Sequence, residues 1–200
     1  YYTYGGLPLI LSRKTDELKS GYLTTLCREL YLKDIENRHN LRGDNIMSAL
    51  LNVLASAVGS LSNPTKLANT FRSNGMPVSD KTIGTYIDYL QDAFFISKAE
   101  RYDIKGKKHI ASPFKYYFTD VGLRNAQLNF RQQEENHIME NIIYNELLVR
   151  GFNVDVGVVE HAERNEAGKV VRKRLEVDFV CNQGNRRYYI QSAFAIPDQE

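Results

Sequence analysis

The chain has 200 residues, of which 42% are hydrophobic and 25% are charged, enough apolar material for one large or two small folded domains. Its formal net charge of +2 is too small to establish a polyanionic partner. No run of about 18 apolar residues occurs, so the sequence excludes a transmembrane helix. Cys27 and Cys181 lie far apart, which argues against a disulfide framework or a CxxC zinc site. We therefore expect a cytoplasmic protein with no membrane partner.

Residues 1–62 are predicted to be helical. Apolar residues recur at steps of three and four from Leu23 to Ile35 and again from Ile46 to Val58. A break at residues 40–44 separates the two helices. Because the chain begins with Tyr1 and not with Met, we expect it to be a piece of a longer protein.

Residues 63–130 show the pattern of a winged helix-turn-helix. A helix beginning at Asn63-Pro64, a turn around Gly75 and a second helix capped by Ser79 are followed by two extended segments, 93–102 and 114–118. The basic residues between these segments would form the tip of the wing.

The same region is the most basic part of the chain. Between Pro64 and Phe118, nine Lys and Arg residues stand against five Asp and Glu residues. We expect DNA contacts from residues at the start of the second helix and at the tip of the wing, namely Lys81, Thr82, Thr85, Lys105, Lys107 and Lys108. The alternatives are that the charge is an ordinary solvated surface and that the fold packs against another protein.

Residues 131–200 are predicted to form an α/β unit. A helix from Ile138 to Val149 precedes strands at 152–159, 175–180 and 188–191, with a polar loop at 163–169 and a hairpin turn around 182–185. Glu140 lies on the helix, Asp178 on one hairpin strand, and Gln191 and Ala193 on the next.

An acid on a helix, an acid on a strand and an acid-x-Lys on the partner strand are how a metal-dependent phosphodiesterase holds Mg²⁺ and activates water. Here Gln191 stands in place of the second strand acid, and Ala193 in place of the lysine. Glu140, Asp178 and Gln191 are therefore candidates for a vestigial catalytic site, with Glu140 and Asp178 as the Mg²⁺ ligands. The alternative is an active Mg²⁺-dependent nuclease that uses the same residues.

Several strings resemble the C-terminal region of bacterial and archaeal AAA-type ATPases, the domain of unknown function DUF4143. They are Gly5-Gly6-Leu7-Pro8, 31–35, 85–90, 115–123, 139–148, Gly151-Phe152-Asn153-Val154, 176–180 and 189–191. The resemblance implies an upstream P-loop ATPase domain as a partner, with residues 1–62 as the connector from it. It also implies a winged helix over 63–130 and a restriction-endonuclease-like (PD-(D/E)XK-type) domain over 131–200, truncated at its C-terminus. No G-x-x-x-x-G-K-[ST] string occurs in the chain, so ATP would bind only upstream.

These observations together predict an α+β chain made of a helical segment, a winged helix-turn-helix and a nuclease-like α/β domain. The expected function is DNA binding as an accessory region of an ATPase, with hydrolysis lost. A protein-binding regulatory module without nucleic acid is the other alternative.

Overall fold

The computed structural model describes residues 1–41, 45–131, 134–164 and 170–193. These residues form an α+β fold, as predicted, with helices packed on a five-stranded mixed sheet. The helices are α1 (Asp16–Thr25), α2 (Lys33–Arg38), α3 (Asn45–Ser56), α4 (Pro64–Ser73), α5 (Asp80–Asp92), α6 (Val121–Gln127) and α7 (Glu135–Val149), with a 3-10 turn at Pro8–Ser12 and a π-helical segment at Leu26–Leu32 that joins α1 to α2. The strands are β1 (Ile96–Asp103), β2 (Lys108–Phe118), β3 (Asn153–Arg164), β4 (Val170–Gln183) and β5 (Arg186–Ile190). Within the described ranges, no helix is both long enough and apolar enough to span a bilayer.

The helices begin where the sequence places capping residues. The side chains of Thr15, Asn63 and Ser79 accept hydrogen bonds from backbone N–H groups in the first turns of α1, α4 and α5. The apolar stripes of α1 to α5 then face one another and enclose a core. Its largest fully buried aliphatic residues are Leu23, Ile35, Met47, Leu50, Leu51, Ile83 and Leu90. Of the break predicted at 40–44, residues 42–44 lie outside the described ranges.

β1 and β2 form an antiparallel hairpin directly after α5. Their pairing runs from Ile96 opposite Phe118 to Asp103 opposite Lys108. The first strand was predicted to begin at Ala93, but residues 93–95 form a turn in which Phe94 has a φ of 54°. The helix-turn-helix and the hairpin therefore follow one another in the predicted order.

The hairpin is not separate from the rest of the sheet. The strand order is β2-β1-β3-β4-β5, and residues 101–103 of β1 pair in parallel with residues 156–158 of β3. Pairing between β1 and β3 crosses the boundary between residues 130 and 131 that the sequence suggested. The hairpin and the strands of the α/β unit are consequently parts of one hydrogen-bonded sheet.

β3 and β4 are longer than predicted. The two strands stay paired as far as Arg164 opposite Val170. The prediction that a polar loop begins at Glu163 was therefore wrong about where the loop starts. Residues 165–169 lie outside the described ranges. Cross-strand charge pairs such as Glu160 with Arg174 support the extension. Residues 159–164 and 170–175 pair only with each other, because the pairings with β1 and β5 lie beyond them. We call this two-stranded projection the arm.

The outer edge of β2 is covered by side chains of α7 and by the loop before α4. Asn141 accepts a hydrogen bond from Phe118 N at 2.9 Å and donates one to Phe118 O at 2.7 Å. Gly59 N donates to Tyr116 O, and Ser62 pairs with Phe114 as an isolated bridge. These contacts fix α7 against β2, which positions the residues of the candidate site.

The N-terminal segment docks on the start of α6. Asp120 caps α6 by accepting from Leu123 N and also accepts from Gly6 N at 2.7 Å. A Cβ at Gly5, whose φ is +70°, would lie 2.1 Å from a carboxylate oxygen of Asp120. The strings Gly5-Gly6 and Asp120-Val121-Gly122-Leu123 are therefore two sides of one contact.

Candidate functional site

α7 supplies the first carboxylate of the candidate site. Its buried residues include Glu140, Asn141, Tyr144 and Leu147, which lie on the face toward the sheet. Gly59 leaves room for the Glu140 side chain. A Cβ at position 59 would lie only 3.2 Å from Glu140 Oε1. The charged residue at position 140 is thus held inside the protein.

β4 supplies two more carboxylates. Glu176 and Asp178 are two residues apart and so share a face of the strand. A bulge follows, because Asp178 and Phe179 together stand opposite the single residue Val156 of β3. Phe179 is fully buried beside this bulge, and its ring lies 6.3 Å from that of Tyr144 on α7.

Lys115 of β2 lies between these carboxylates. Its Nζ donates to Glu140 Oε1 at 2.8 Å, is 2.7 Å from Glu176 Oε1 and is 3.9 Å from Asp178 Oδ1. The Lys115 side chain is 4% exposed. Burial lowers the pKa of the Lys115 ammonium, but Glu140 and Glu176 outweigh burial and hold that pKa above its ordinary value. Lys115 is therefore a buried cation that the carboxylates keep charged.

Tyr117, two residues along the same strand, completes the environment of Glu140. Its hydroxyl donates to Glu140 Oε1 at 2.5 Å, and its ring stacks on Tyr144 at 4.2 Å. Burial, followed by the negative charge of Glu140, raises the pKa of Tyr117 far above its ordinary value. Glu140 Oε1 thus accepts from an ammonium and a phenol together.

Asp178 is held by the chain that follows β5. Its Oδ2 accepts from Gln191 Nε2 at 2.8 Å, from Ser192 N at 2.8 Å and from Ser192 Oγ at 2.7 Å. β5 ends at Ile190, so the prediction that Gln191 and Ala193 lie on this strand was wrong. The chain leaves the sheet there because the side chain and backbone of Ser192 turn toward Asp178. Gln191 is consequently a hydrogen-bond partner of Asp178.

A cavity of about 470 Å³ opens beside these residues. It is lined by Asn136, His137, Met139, Glu140, Asp178, Gln191, Ser192 and Ala193. The predicted residues Glu140, Asp178 and Gln191 are therefore brought together at one place. Ala193 also lines this cavity, and it contributes no charge.

The residues present do not fit the Mg²⁺ ion that the sequence pattern suggests. A hard divalent cation needs several free oxygen ligands. Glu140 Oε1 and Glu176 Oε1 are bound to Lys115, and Asp178 Oδ2 accepts three hydrogen bonds. Across the described part of the chain, no group of three or more His, Cys, Asp or Glu side chains is arranged to hold a metal ion.

Sequence reasoning missed Lys115, Glu176, Tyr117 and Ser192. It also treated the site as lacking a cation because residue 193 is Ala, whereas Lys115 brings the cation from another strand. One signal was present, since Lys115 is the single charge in the aromatic run Phe114-Lys115-Tyr116-Tyr117-Phe118. A charge in a strand that is otherwise apolar indicates a buried partner.

The candidate DNA-binding residues lie where the sequence placed them. Lys81, Thr82 and Thr85 are in the first turns of α5, and Lys105, Lys107 and Lys108 surround the tip of the β1–β2 hairpin. Two of the nine basic residues counted for this region, Arg101 and Lys115, are buried at 5% and 3% exposure. The basic surface is therefore smaller than the sequence count suggests and is concentrated at the hairpin tip.

Fold and site together define an α+β protein with a buried carboxylate–lysine cluster beside an open cavity. The chain belongs to the family described as a domain of unknown function, DUF8612, whose model matches residues 1–134. The predicted resemblance to DUF4143 and to AAA-type ATPases is therefore wrong. Some of the short strings on which that resemblance rested lie at contacts within the fold, such as Gly5-Gly6 against Asp120. Each string is too short to distinguish one family from another. The ATP and the upstream ATPase domain rested on that resemblance alone.

Two relatives align with almost the entire chain. An uncharacterized protein of Haemophilus influenzae is 34% identical over 198 residues, covering 99% of this chain and 46% of its own length. An uncharacterized protein of Methanocaldococcus jannaschii is 27% identical over 196 residues, covering 98% of this chain and 41% of its own length. The chain thus spans less than half the length of these relatives. No solved structure matches the chain.

Proposed function

We propose that this chain is a DNA-binding protein with a winged helix formed by α4, α5 and the β1–β2 hairpin. We also propose that its α/β unit is a PD-(D/E)XK-type nuclease fold that binds without cutting. The order helix, turn, helix and hairpin supports the first part. A helix that carries Glu140, packed on strands that carry Asp178 and the chain to Gln191, supports the second.

The hairpin tip carries the proposed DNA contact. Lys107 and Lys108 are exposed and have no ion-pair partner within the described ranges. Lys105 is also exposed, and its Nζ donates to the backbone oxygen of Glu160 at 3.0 Å. Unpaired exposed ammonium groups at the end of a hairpin are suited to phosphate contact, because no existing ion pair must be broken.

α5 would contribute less than the tip. Its exposed charged residues are Lys81 together with Asp80, Asp88 and Asp92. Thr82 and Thr85 already use their hydroxyls, Thr82 with Ser79 Oγ at 2.8 Å and Thr85 with Lys81 O at 3.1 Å. Phosphate contact by Lys81 therefore fits this helix better than base reading does.

The loss of hydrolysis is supported by the carboxylates of the cluster, whose oxygens already bind other side chains of the protein. Lys115 pairs with the negative charge that would attract a divalent cation, and Gln191 provides an amide in place of the acid expected after β5. Glu140 is poorly suited to activate water, since its Oε1 already accepts from Lys115 and Tyr117.

The test measures binding and cleavage on one labelled DNA duplex. We expect binding at low salt that weakens steeply as NaCl is raised, and an intact duplex after incubation with Mg²⁺ or Mn²⁺. Lys107→Glu with Lys108→Glu is expected to weaken binding about tenfold or more. The matched control is Lys14→Glu with Lys33→Glu, which makes the same change of charge before α1 and at the start of α2. Metal-dependent cleavage that disappears in Asp178→Ala would establish the nuclease alternative instead.

The acidic surface of α5 favours a second candidate, a protein-binding regulatory module. Asp80, Asp88 and Asp92 are exposed on it and would repel phosphates. Wild-type protein that fails to bind any duplex at 50 mM NaCl would support this candidate and would contradict the DNA proposal.

A further inference from the structure

The arm projects from the body of the protein without a hydrophobic core of its own. Residues 160–163 and 173–175 are all exposed, as are Val170 and Val171. Six residue pairs at about 3.3 Å per residue give the arm a length of roughly 20 Å. An isolated two-stranded ribbon is marginally stable in water, so contact with another molecule would stabilise the arm.

The charges on the arm are held loosely. Lys173 Nζ is 2.6 Å from Glu163, and Arg174 Nε is 3.0 Å from Glu160, with side chains 45% to 68% exposed. Exposed pairs of this kind contribute little to stability. Lys173 and Arg174 can therefore exchange their carboxylates for another anion at small cost.

Arg101 lies at the base of the arm and provides an independent observation. It is 5% exposed, and its Nε has no hydrogen-bond partner among the described residues. Burial and the nearby positive charge of Arg174 lower the pKa of Arg101, while Glu176 acts in the opposite direction. A buried guanidinium N–H without a partner is costly, and an anion bound beside Arg174 would satisfy it.

The hairpin tip lies directly beside the arm. Lys105 donates to the backbone of Glu160, and Ile104 N donates to Val158 O at 2.9 Å. The unpaired lysines of the tip and the cations of the arm are therefore neighbours on one end of the sheet.

We propose that the arm enters the major groove of duplex DNA and that Arg101 and Arg174 bind a backbone phosphate at its base. This inference rests on the proposed DNA-binding function and names the surface and the form of nucleic acid. The major groove of B-DNA is about 12 Å wide and admits a two-stranded ribbon, whereas the major groove of A-form RNA is too narrow. A second copy of the chain is a poorer partner, because the tip lysines would face like charges and Arg101 would remain unsatisfied.

The experiment measures anisotropy of a labelled 20-base-pair DNA duplex and of an RNA duplex of the same sequence, from 50 to 300 mM NaCl. We expect Lys173→Gln with Arg174→Gln to weaken DNA binding about tenfold or more and to reduce the salt slope by about two. Arg101→Met is expected to weaken DNA binding about tenfold. The urea midpoint of this variant is expected to equal or exceed that of the wild type, because an unsatisfied buried donor is removed. A merely structural role for Arg101 predicts the opposite, a lowered midpoint with DNA affinity unchanged. The matched control, Lys14→Gln with Lys33→Gln, is expected to bind as the wild type does.

The outcomes separate the two proposals. Wild-type protein that binds DNA, together with arm variants of unchanged affinity, would overturn the arm and leave the hairpin tip as the contact. Equal affinity for the RNA duplex would overturn the major-groove geometry. An arm variant that changes the oligomeric state in sedimentation while DNA affinity is constant would make the arm a self-association surface. Absence of any binding by the wild type would remove the proposed function itself.

Discussion

β4 carries two sets of ion pairs that use the same residue types in opposite surroundings. In the arm, Lys173 and Arg174 pair with glutamates while their side chains stay more than half exposed. Further along the strand, Glu176 and Asp178 face Lys115, whose side chain is 4% exposed. Water and salt screen the first set, so its charges are free to change partners. In the second set Lys115, Glu140 and Asp178 are buried and only Glu176 reaches the surface, so the buried charges depend on one another.

The largest effect is expected from removing the buried cation. Lys115→Met leaves Glu140 and Glu176 without their ammonium partner, and we expect the free energy of unfolding to fall by about 3–5 kcal/mol. Urea denaturation measures this change. The matched control, Lys107→Met at the hairpin tip, is expected to cost less than about 0.5 kcal/mol. Equal losses for the two variants would contradict the contrast between the regions.

A smaller loss is expected at the buried edge of β2. Asn141→Ala leaves Phe118 N without its side-chain acceptor and removes one of the two side-chain donors to Phe118 O, which we expect to cost about 2 kcal/mol. Asn145→Ala is the matched control, because Asn145 donates only to Phe118 O and Thr119 O and lies nearer the surface. Thermal unfolding of both variants should place Asn141→Ala clearly lower. A lower melting temperature for Asn145→Ala than for Asn141→Ala would mean that Asn145 contributes more than Asn141 to holding α7 against β2.

Alkali should unfold the protein through the buried cluster. Glu140 and Glu176 keep the pKa of Lys115 above its ordinary value, and burial with Glu140 raises the pKa of Tyr117. Because both groups hold their protons more tightly when folded, their stabilisation is present below about pH 10 and is lost as the pH rises further, by about 1.4 kcal/mol per pH unit for each proton. Urea midpoints from pH 8 to 11 measure the loss. Tyr117→Phe should show a shallower decline, and an unaltered decline would exclude Tyr117 as a source.

The smallest effect on stability is expected at the hairpin tip. Lys107→Glu with Lys108→Glu should change the free energy of unfolding by less than about 0.5 kcal/mol, because neither lysine has an ion-pair partner within the described ranges. The same variant is the one expected to lose DNA affinity. Chemical denaturation run beside the anisotropy titration checks both, and a destabilised variant would mean that lost binding reports unfolding.

Much of the fold follows from local sequence signals. The caps at Asn63 and Ser79, the apolar stripe of α5 and the hairpin around residues 182–185 each depend on neighbours in the sequence, and the structure agrees with each. The pairing of β1 with β3 could not be predicted in this way, because it joins segments that are distant in sequence. The start predicted for the 163–169 loop failed for a related reason, since polar residues also form strands when they pair across a ribbon.

The candidate site was predicted in part. Glu140, Asp178 and Gln191 do line one cavity, because their spacing on a helix and a hairpin reflects local geometry. Lys115, the cation of the cluster, comes from a distant part of the sequence. It meets Glu140 because α7 packs on β2. β5 ends at Ile190 and Ser192 then binds Asp178, a contact that no residue pattern along β5 indicates.

The pairing of β1 with β3 has a mechanical consequence. A hairpin attached only at its base could swing on meeting a ligand and would lose conformational freedom when bound. Here the hydrogen bonds of residues 101–103 join the tip to the strand that also carries the arm, so the two would meet the proposed ligand in a fixed relative orientation. If the proposed binding holds, we expect association with little rearrangement of the backbone at either surface.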